Sequence, residues 1–165
     1  MSTLIRRVQQ SDLAALTAIY NHYVETTAIT FDLEPKTLEQ RQAWLDGFTE
    51  TGRHQCFVAE LDGEAVGWAS TGKFREKAAY DSTVETSIYL KPGLQGQGIG
   101  RLLFESLFGV LASEDVHSAI GVITLPNMPS VRLHEAFGFE LAGTLRESGR
   151  KFSRLWDIGM YQKVF

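Results

Sequence analysis

Apolar residues change their spacing several times along this chain, and each change marks an element. Leu4 to Val8 read as a short strand. Ser11 or Asp12 can cap a helix in which Leu13, Leu16, Ile19, Tyr20 and Tyr23 recur at helical spacing. Residues 24 to 36 lose that period and read as a loop, with Phe31 as the large apolar group near its middle. Thr37 and Gln40 stand at the separation of a capping box, and Ala43, Trp44, Leu45 and Phe48 supply a second apolar face. Gln55 to Leu61 and Ala65 to Lys73 read as strands around Asp62-Gly63, a dipeptide suited to a tight hairpin. Thr83 to Leu90 forms a fourth strand, and Pro92-Gly93 ends it.

The second half continues the alternation. From Gly98 to about Ser113 a helix carries Ile99, Leu102, Leu103, Leu107, Val110 and Leu111 on one side. Ala119 to Leu125 is almost continuously apolar, as an interior strand is. Pro126-Asn127 breaks it, Pro129 suits the first turn of a helix ending near Phe137, and Gly138 suits its C-terminal cap. Glu140 to Glu147 and Leu155 to Gln162 read as a closing antiparallel pair. The order predicts an α/β fold around one mixed sheet. At 165 residues, without repeat, linker or low-complexity tract, the reading is one domain over 1–165.

Chemistry enters at Gln95-Gly96-Gln97-Gly98-Ile99-Gly100, between a strand and an amphipathic helix. A loop this bare lets backbone N–H groups approach a ligand, and the helix behind it adds a positive end, so the pair suits a pyrophosphate. Three phosphate loops compete. A Walker A loop needs Gly-Lys-Ser/Thr, but Arg101 and Leu102 follow Gly100. A dinucleotide loop needs a third glycine where Arg101 stands, and lies early in its βαβ unit. The pattern Gln/Arg-x-x-Gly-x-Gly/Ala is met at Gln95, Gly98 and Gly100. A ligand-free glycine-rich turn has the same local sequence.

Composition narrows the partners. The net charge of −4 speaks against nucleic acid. The single Cys56 rules out an internal disulfide, and no apolar run reaches the roughly 20 residues of a membrane span. Met1 to Arg7 lacks an apolar signal core, so a cytoplasmic setting is expected. His22, His54, His117 and His134 show no metal-ligand spacing, and no metal is expected.

The loop at 95–100, with Asn127 and Gly138-Phe139 behind it, resembles the GNAT N-acetyltransferase superfamily. Phe31-Asp32-Leu33-Glu34-Pro35, Ala79 to Glu85 and Leu125 to Ala136 resemble its phosphinothricin and methionine sulfoximine N-acetyltransferase branch. The resemblance spans essentially the whole chain. It implies the GNAT fold, a central mixed, mostly antiparallel sheet flanked by helices. It also implies acetyl transfer from acetyl-CoA to the amine of a small amino acid or analogue. Rival acceptors are a peptide N-terminus, a polyamine or an aminoglycoside, and a non-catalytic acyl-CoA sensor is a further rival.

Site roles follow from the same resemblance. An α-amino group is mostly protonated near neutrality, so a base is needed. Glu85 is the candidate, directly or through water, against an idle strand glutamate. His134 stands where many relatives carry a tyrosine that protonates the departing thiolate, against a structural helix histidine. The backbone of Ile88, Tyr89 and Leu90 is implied to hold the pantetheine arm. Gln95, Gly96, Gln97, Gly98, Ile99, Gly100 and Arg101 are implied to hold the diphosphate. Asn127 and Ser130 would assist, although Asn127 also suits a helix cap.

Arg75 can grip an acceptor carboxylate through paired hydrogen bonds, with Phe31, Lys77, Tyr80 and Glu85 beside the substrate. Lys73, Arg150, Lys151 and Arg154 are further basic candidates for substrate or CoA phosphates, or plain surface charge. The family is commonly dimeric, with basic late-strand residues reaching a neighbouring subunit's site, so a homodimer is expected.

Overall fold

The structure, a computed structural model, describes residues 2–165. Strand β1 (Thr3–Arg7) leads through a 3-10 turn at Gln10–Asp12 into helix α1 (Leu13–Thr26), and α2 (Leu38–Asp46) follows. Strands β2 (Cys56–Leu61), β3 (Glu64–Lys73) and β4 (Thr83–Leu90) precede α3 (Ile99–Leu111). Strand β5 (Ser118–Leu125), α4 (Met128–Ala136), β6 (Glu140–Lys151) and β7 (Arg154–Val164) complete the order. The strands join in one seven-stranded sheet, β1-β2-β3-β4-β5-β7-β6. Every pairing is antiparallel except β4 with β5. That parallel step needs a crossover, which α3 supplies.

Alternation along the strands sends side chains to two layers. One face of the sheet gives Phe57, Ala59, Val66, Ala69, Val84, Ala119 and Ile123 to a core closed by Leu103, Phe104, Leu107, Phe108 and Leu111 of α3. The other face sends Val58 and Trp68 against Leu16, Ile19 and Tyr23 of α1. There Trp68 stacks on Tyr89, with ring centroids 5.0 Å apart. Arg41 of α2 is buried in this aromatic layer, its guanidinium 3.6 Å from the Trp44 ring centroid. Burial lowers the Arg41 pKa to about 10.

Several expectations shift. The helix expected behind Ser11 or Asp12 starts as foreseen, but Asp12 makes no side-chain cap to it. Its buried carboxylate accepts both Arg6 Nη groups at 2.8 Å and the Gln9 N–H at 2.8 Å. Burial alone would raise the Asp12 pKa; those bonds outweigh it and hold it below the ordinary value. Helix α1 runs on to Thr26, because Val24 still packs inward at 1% exposure. Leu102, expected on the apolar side of α3, is exposed, and Phe104 and Phe108 fill that side. The capping box forms: Gln40 N–H donates to Thr37 Oγ1 at 3.1 Å, and Thr37 N–H to Gln40 Oε1 at 2.9 Å. The closing pair is longer than expected, with a turn at Phe152-Ser153 whose φ values are 53° and 56°. No described helix is long and apolar enough to cross a membrane.

Candidate active site

Strands β4 and β5 pair only from Thr83↔Ser118 to Thr86↔Gly121. Beyond that point Ser87–Leu90 and Val122–Leu125 part, and the opening between them organises the site. Leu90's carbonyl accepts the Tyr23 hydroxyl at 2.6 Å, so it faces away from β3. Residues of an antiparallel strand alternate in direction, so Ile88 turns its amide and carbonyl into the same opening while Tyr89 spends its pair on β3. The expected free backbone of Ile88, Tyr89 and Leu90 is therefore narrower. Ile88 offers both groups, Leu90 its N–H, and Tyr89 neither.

The glycine loop lies at the outer end of that opening. Gly93, Gly96 and Gly98 have φ of 89°, 78° and 82°, where a side chain would be strained. Among the described residues, the N–H groups of Gly98, Ile99, Gly100 and Arg101 have no protein acceptor. Successive amides left free at a helix entrance form an anion nest. The Gln95 side chain both braces the loop and lines the groove. Its Oε1 accepts Gly93 N–H at 2.9 Å and its Nε2 donates to the Tyr23 hydroxyl at 2.9 Å. Ile99 is 3% exposed, so only its amide is available. Gln97 donates to Gly93 O at 3.3 Å and does not line the groove.

A groove of about 420 Å³ joins loop and opening. Ile88, Leu90, Gly96, Gly98, Gly100 and Arg101 form one wall, with Asn127, Pro129, Ser130, Arg132 and Leu133 opposite and Tyr23 and Ile29 above. Arg101 also reaches Glu105 at 2.9 Å. Asn127 Oδ1 caps α4 by accepting the Ser130 N–H at 3.3 Å, and the residue also lines the groove. Apolar walls, free strand amides and an anion nest fit an extended thioester carrier ending in a diphosphate. Sequence reasoning missed Tyr23 and Ile29. Tyr23 reads as one more apolar helix position, and only its hydroxyl's contacts reveal the role.

A cavity of about 60 Å³ continues inward between the parted strands, lined by Thr86, Ser87, Ile123, Thr124 and His134. His134 is buried edge-on to Phe104 and Phe139. Its Nδ1 lies 2.8 Å from Ser130 O, and since a carbonyl only accepts, Nδ1 carries the proton. Burial lowers the His134 pKa, against the pull of that carbonyl. The neutral ring then holds a lone pair on Nε2, which lies against Gly121, where the strand pairing ends. Of the two roles open to an imidazole, this geometry suits the base: His134 can accept a proton at Nε2, whereas donating from Nε2 needs an imidazolium that burial disfavours.

Glu85 projects from the opposite face of β4, since Val84 and Thr86 flank it on the α3 side. It is half-buried, and desolvation raises its pKa. The two catalytic candidates thus lie on opposite faces of the sheet, and Glu85 lines neither cavity. Glu85 pairs in register with Gly72, near the start of the β3–β4 connection. Arg75, Lys77 and Tyr80 are exposed in that connection and line neither cavity. Arg75 sits over the Phe74 and Tyr80 rings, 5.1 and 5.7 Å from their centroids. Lys73 pairs with Glu76 at 3.5 Å. Phe31 rests on Gly149 of β6. Lys151, expected to be free for substrate or phosphate, is buried, and its Nζ donates to Thr30 O at 2.8 Å. Arg150 and Arg154 remain exposed, with Arg154 4.0 Å above Trp156.

Known proteins resemble this chain in sequence and in fold. Residues 5–160 match the acetyltransferase (GNAT) domain. The chain is 48% identical over 162 residues to phosphinothricin N-acetyltransferase of Streptomyces coelicolor, covering 96% of this chain and 94% of that protein. It is 33% identical over 162 residues to L-methionine sulfoximine/L-methionine sulfone acetyltransferase of Pseudomonas aeruginosa, covering 98% and 94%. A phosphinothricin acetyltransferase of Sinorhizobium meliloti, solved in complex with acetyl-CoA, superposes with a TM-score of 0.93. That match has 31% identity and covers 100% of this chain and 89% of that one.

Proposed function

The chain belongs to the GNAT acetyltransferase family, and from that premise we propose that its acceptor is the α-amino group of a small amino acid or analogue of the phosphinothricin, methionine sulfoximine or methionine sulfone type. It is an acetyl-CoA-dependent N-acetyltransferase. The observation that carries the acceptor is the desolvated Glu85 beside a connection bearing Arg75, a guanidinium with no carboxylate partner among the described residues.

Each residue then has a task. The amides at 98–101 hold the diphosphate, and Ile88 and Leu90 hold the arm that leads inward. Glu85 takes a proton from the acceptor ammonium, directly or through water. The freed amine attacks the thioester carbonyl, with the Ile88 N–H as donor to the developing oxyanion; in related sites one such donor contributes about 3 kcal/mol. As the tetrahedral centre collapses the C–S bond breaks, the nitrogen sheds its remaining extra proton and the departing CoA thiolate takes one up, leaving the N-acetyl product and free CoA thiol. His134 Nε2 faces the same opening as acceptor. Arg75 grips the acceptor carboxylate, with Tyr80, Lys77 and Phe31 around it.

A thiol-release screen with acetyl-CoA tests this. Methionine sulfone, methionine sulfoximine and phosphinothricin are expected to turn over; preference for a polyamine or aminoglycoside would refute the acceptor class. Arg75→Ala is expected to raise acceptor KM by roughly 10- to 100-fold, the worth of a charge-assisted pair, with the acetyl-CoA KM unchanged.

We further propose one domain over 1–165, acting as a cytoplasmic homodimer. Exposed Leu141, Leu145, Phe152 and Leu155 on β6 and β7 support the dimer, and the lone buried Cys56 suits a reducing compartment. Sedimentation at monomer mass would exclude the dimer, and recovery outside the cytoplasmic fraction would exclude that location.

A further inference from the structure

Strand β6 meets the loop between α1 and α2 at two alternate positions. Gly149 lies under Phe31, where a Cβ would stand 2.6 Å from the ring's Cδ2. Two residues on, Lys151 is 3% exposed and donates from Nζ to the Thr30 carbonyl at 2.8 Å. Positions i and i+2 share a strand face, so β6 offers the loop a bare patch and a cation side by side. Burying an ammonium against a carbonyl is costly, and burial lowers the Lys151 pKa. Such a contact holds position at the expense of stability.

The loop's other side is tied to α1. Tyr20 Oη donates to Asp32 and lies 2.9 Å from Thr30 Oγ1. Asn21 donates to Lys36 O at 2.9 Å and accepts its N–H at 2.8 Å. Just before these ties in the chain, Ile29 reaches the opening between β4 and β5. It lines both the groove and the small cavity beside His134.

We propose that Gly149 and Lys151 are positioning residues. From the sheet's edge they seat Ile29–Phe31 across the opening and so set which acceptors the site admits. The seat rests on the contacts alone; its effect on acceptors rests on the function proposed above.

Two measurements on the full chain test the two halves separately. Amide exchange across residues 27–37 reads the seat without substrate. Thiol release with methionine sulfone reads its effect. Gly149→Ala is expected to speed exchange in that segment and to lower acceptor kcat/KM roughly tenfold or more, as misplacement remote from chemistry does. Calorimetric affinity for CoA is expected to fall less than acceptor kcat/KM, because the amides at 98–101 are untouched although Ile29 also lines the groove. Lys151→Met is expected to act in the same direction, and it carries the test if Gly149→Ala does not fold. In a Phe31→Ala background, Gly149→Ala is expected to add no further loss, because nothing then rests on residue 149.

Unchanged exchange in both variants overturns the seat. Faster exchange with unchanged kcat/KM overturns the role in acceptor choice, and so does an equal loss from Gly149→Ala in both backgrounds. A wild type that releases no thiol with any amino acid overturns the acceptor reading and the kinetic half with it. The exchange arm then still decides the seat.

Discussion

Glu85→Gln is expected to lower turnover by about 100-fold, the low end of what a positioned general base contributes. The amide keeps the shape and loses only the proton acceptor. Acetyl-CoA affinity should hold, because the free amides at 98–101 lie beyond the other end of β4. The pH profile separates Glu85 from its rival. Desolvation raises the Glu85 pKa above the ordinary carboxyl value, so the wild-type rate should climb with pH through that raised value. Below it the carboxyl is protonated and idle. His134, its pKa lowered by burial, would give a climbing limb too. Glu85→Gln should remove the limb along with the rate. A variant that keeps both would transfer the base to His134 Nε2.

That test is needed because the sequence reading put these two residues in one site, whereas the structure sets them on opposite faces of the sheet, with only His134 lining a cavity. Element order was legible because each element carries its own period: Thr83–Leu90 comes out residue for residue, as does the Asp62-Gly63 turn with φ of 53° and 84°. The last hairpin was not. Its turn residues, Phe152 and Ser153, adopt positive φ without a glycine or asparagine to announce it. The strand end read at Glu147 is a real irregularity: its φ is 52°, its N–H is held by Asp157 Oδ1 at 2.8 Å, and the register shifts between Leu145 and Gly149. Pairing resumes beyond it, and no local pattern encodes that.

The cofactor side was legible because glycines announce backbone chemistry. The partners of that backbone were not, since Tyr23 reaches it from a helix 67 residues earlier than Leu90. Lys151 misled for a related reason. A lysine in sequence reads as a solvated charge, and only the distant Thr30 carbonyl shows it buried.

Paired substitutions at Gly98 test the nest itself. Gly98 sits at φ 82°, and a Cβ there meets nothing within 4 Å. Asparagine and aspartate tolerate the left-handed region better than other side chains and match in size. Gly98→Asn therefore keeps the charge of the nest, and its acetyl-CoA affinity should fall less than about tenfold, the cost of modest backbone strain. Gly98→Asp adds a carboxylate beside the diphosphate. Like charges about 4 Å apart repel by ~4 kcal/mol near a protein surface before salt screening. A further loss of roughly 100-fold is expected after screening, shrinking as salt is raised. The difference between the two variants measures the electrostatics with the strain cancelled. Equal losses, or a difference indifferent to salt, would mean that the bare amides at the mouth of α3 do not hold an anion, and the groove would need another occupant.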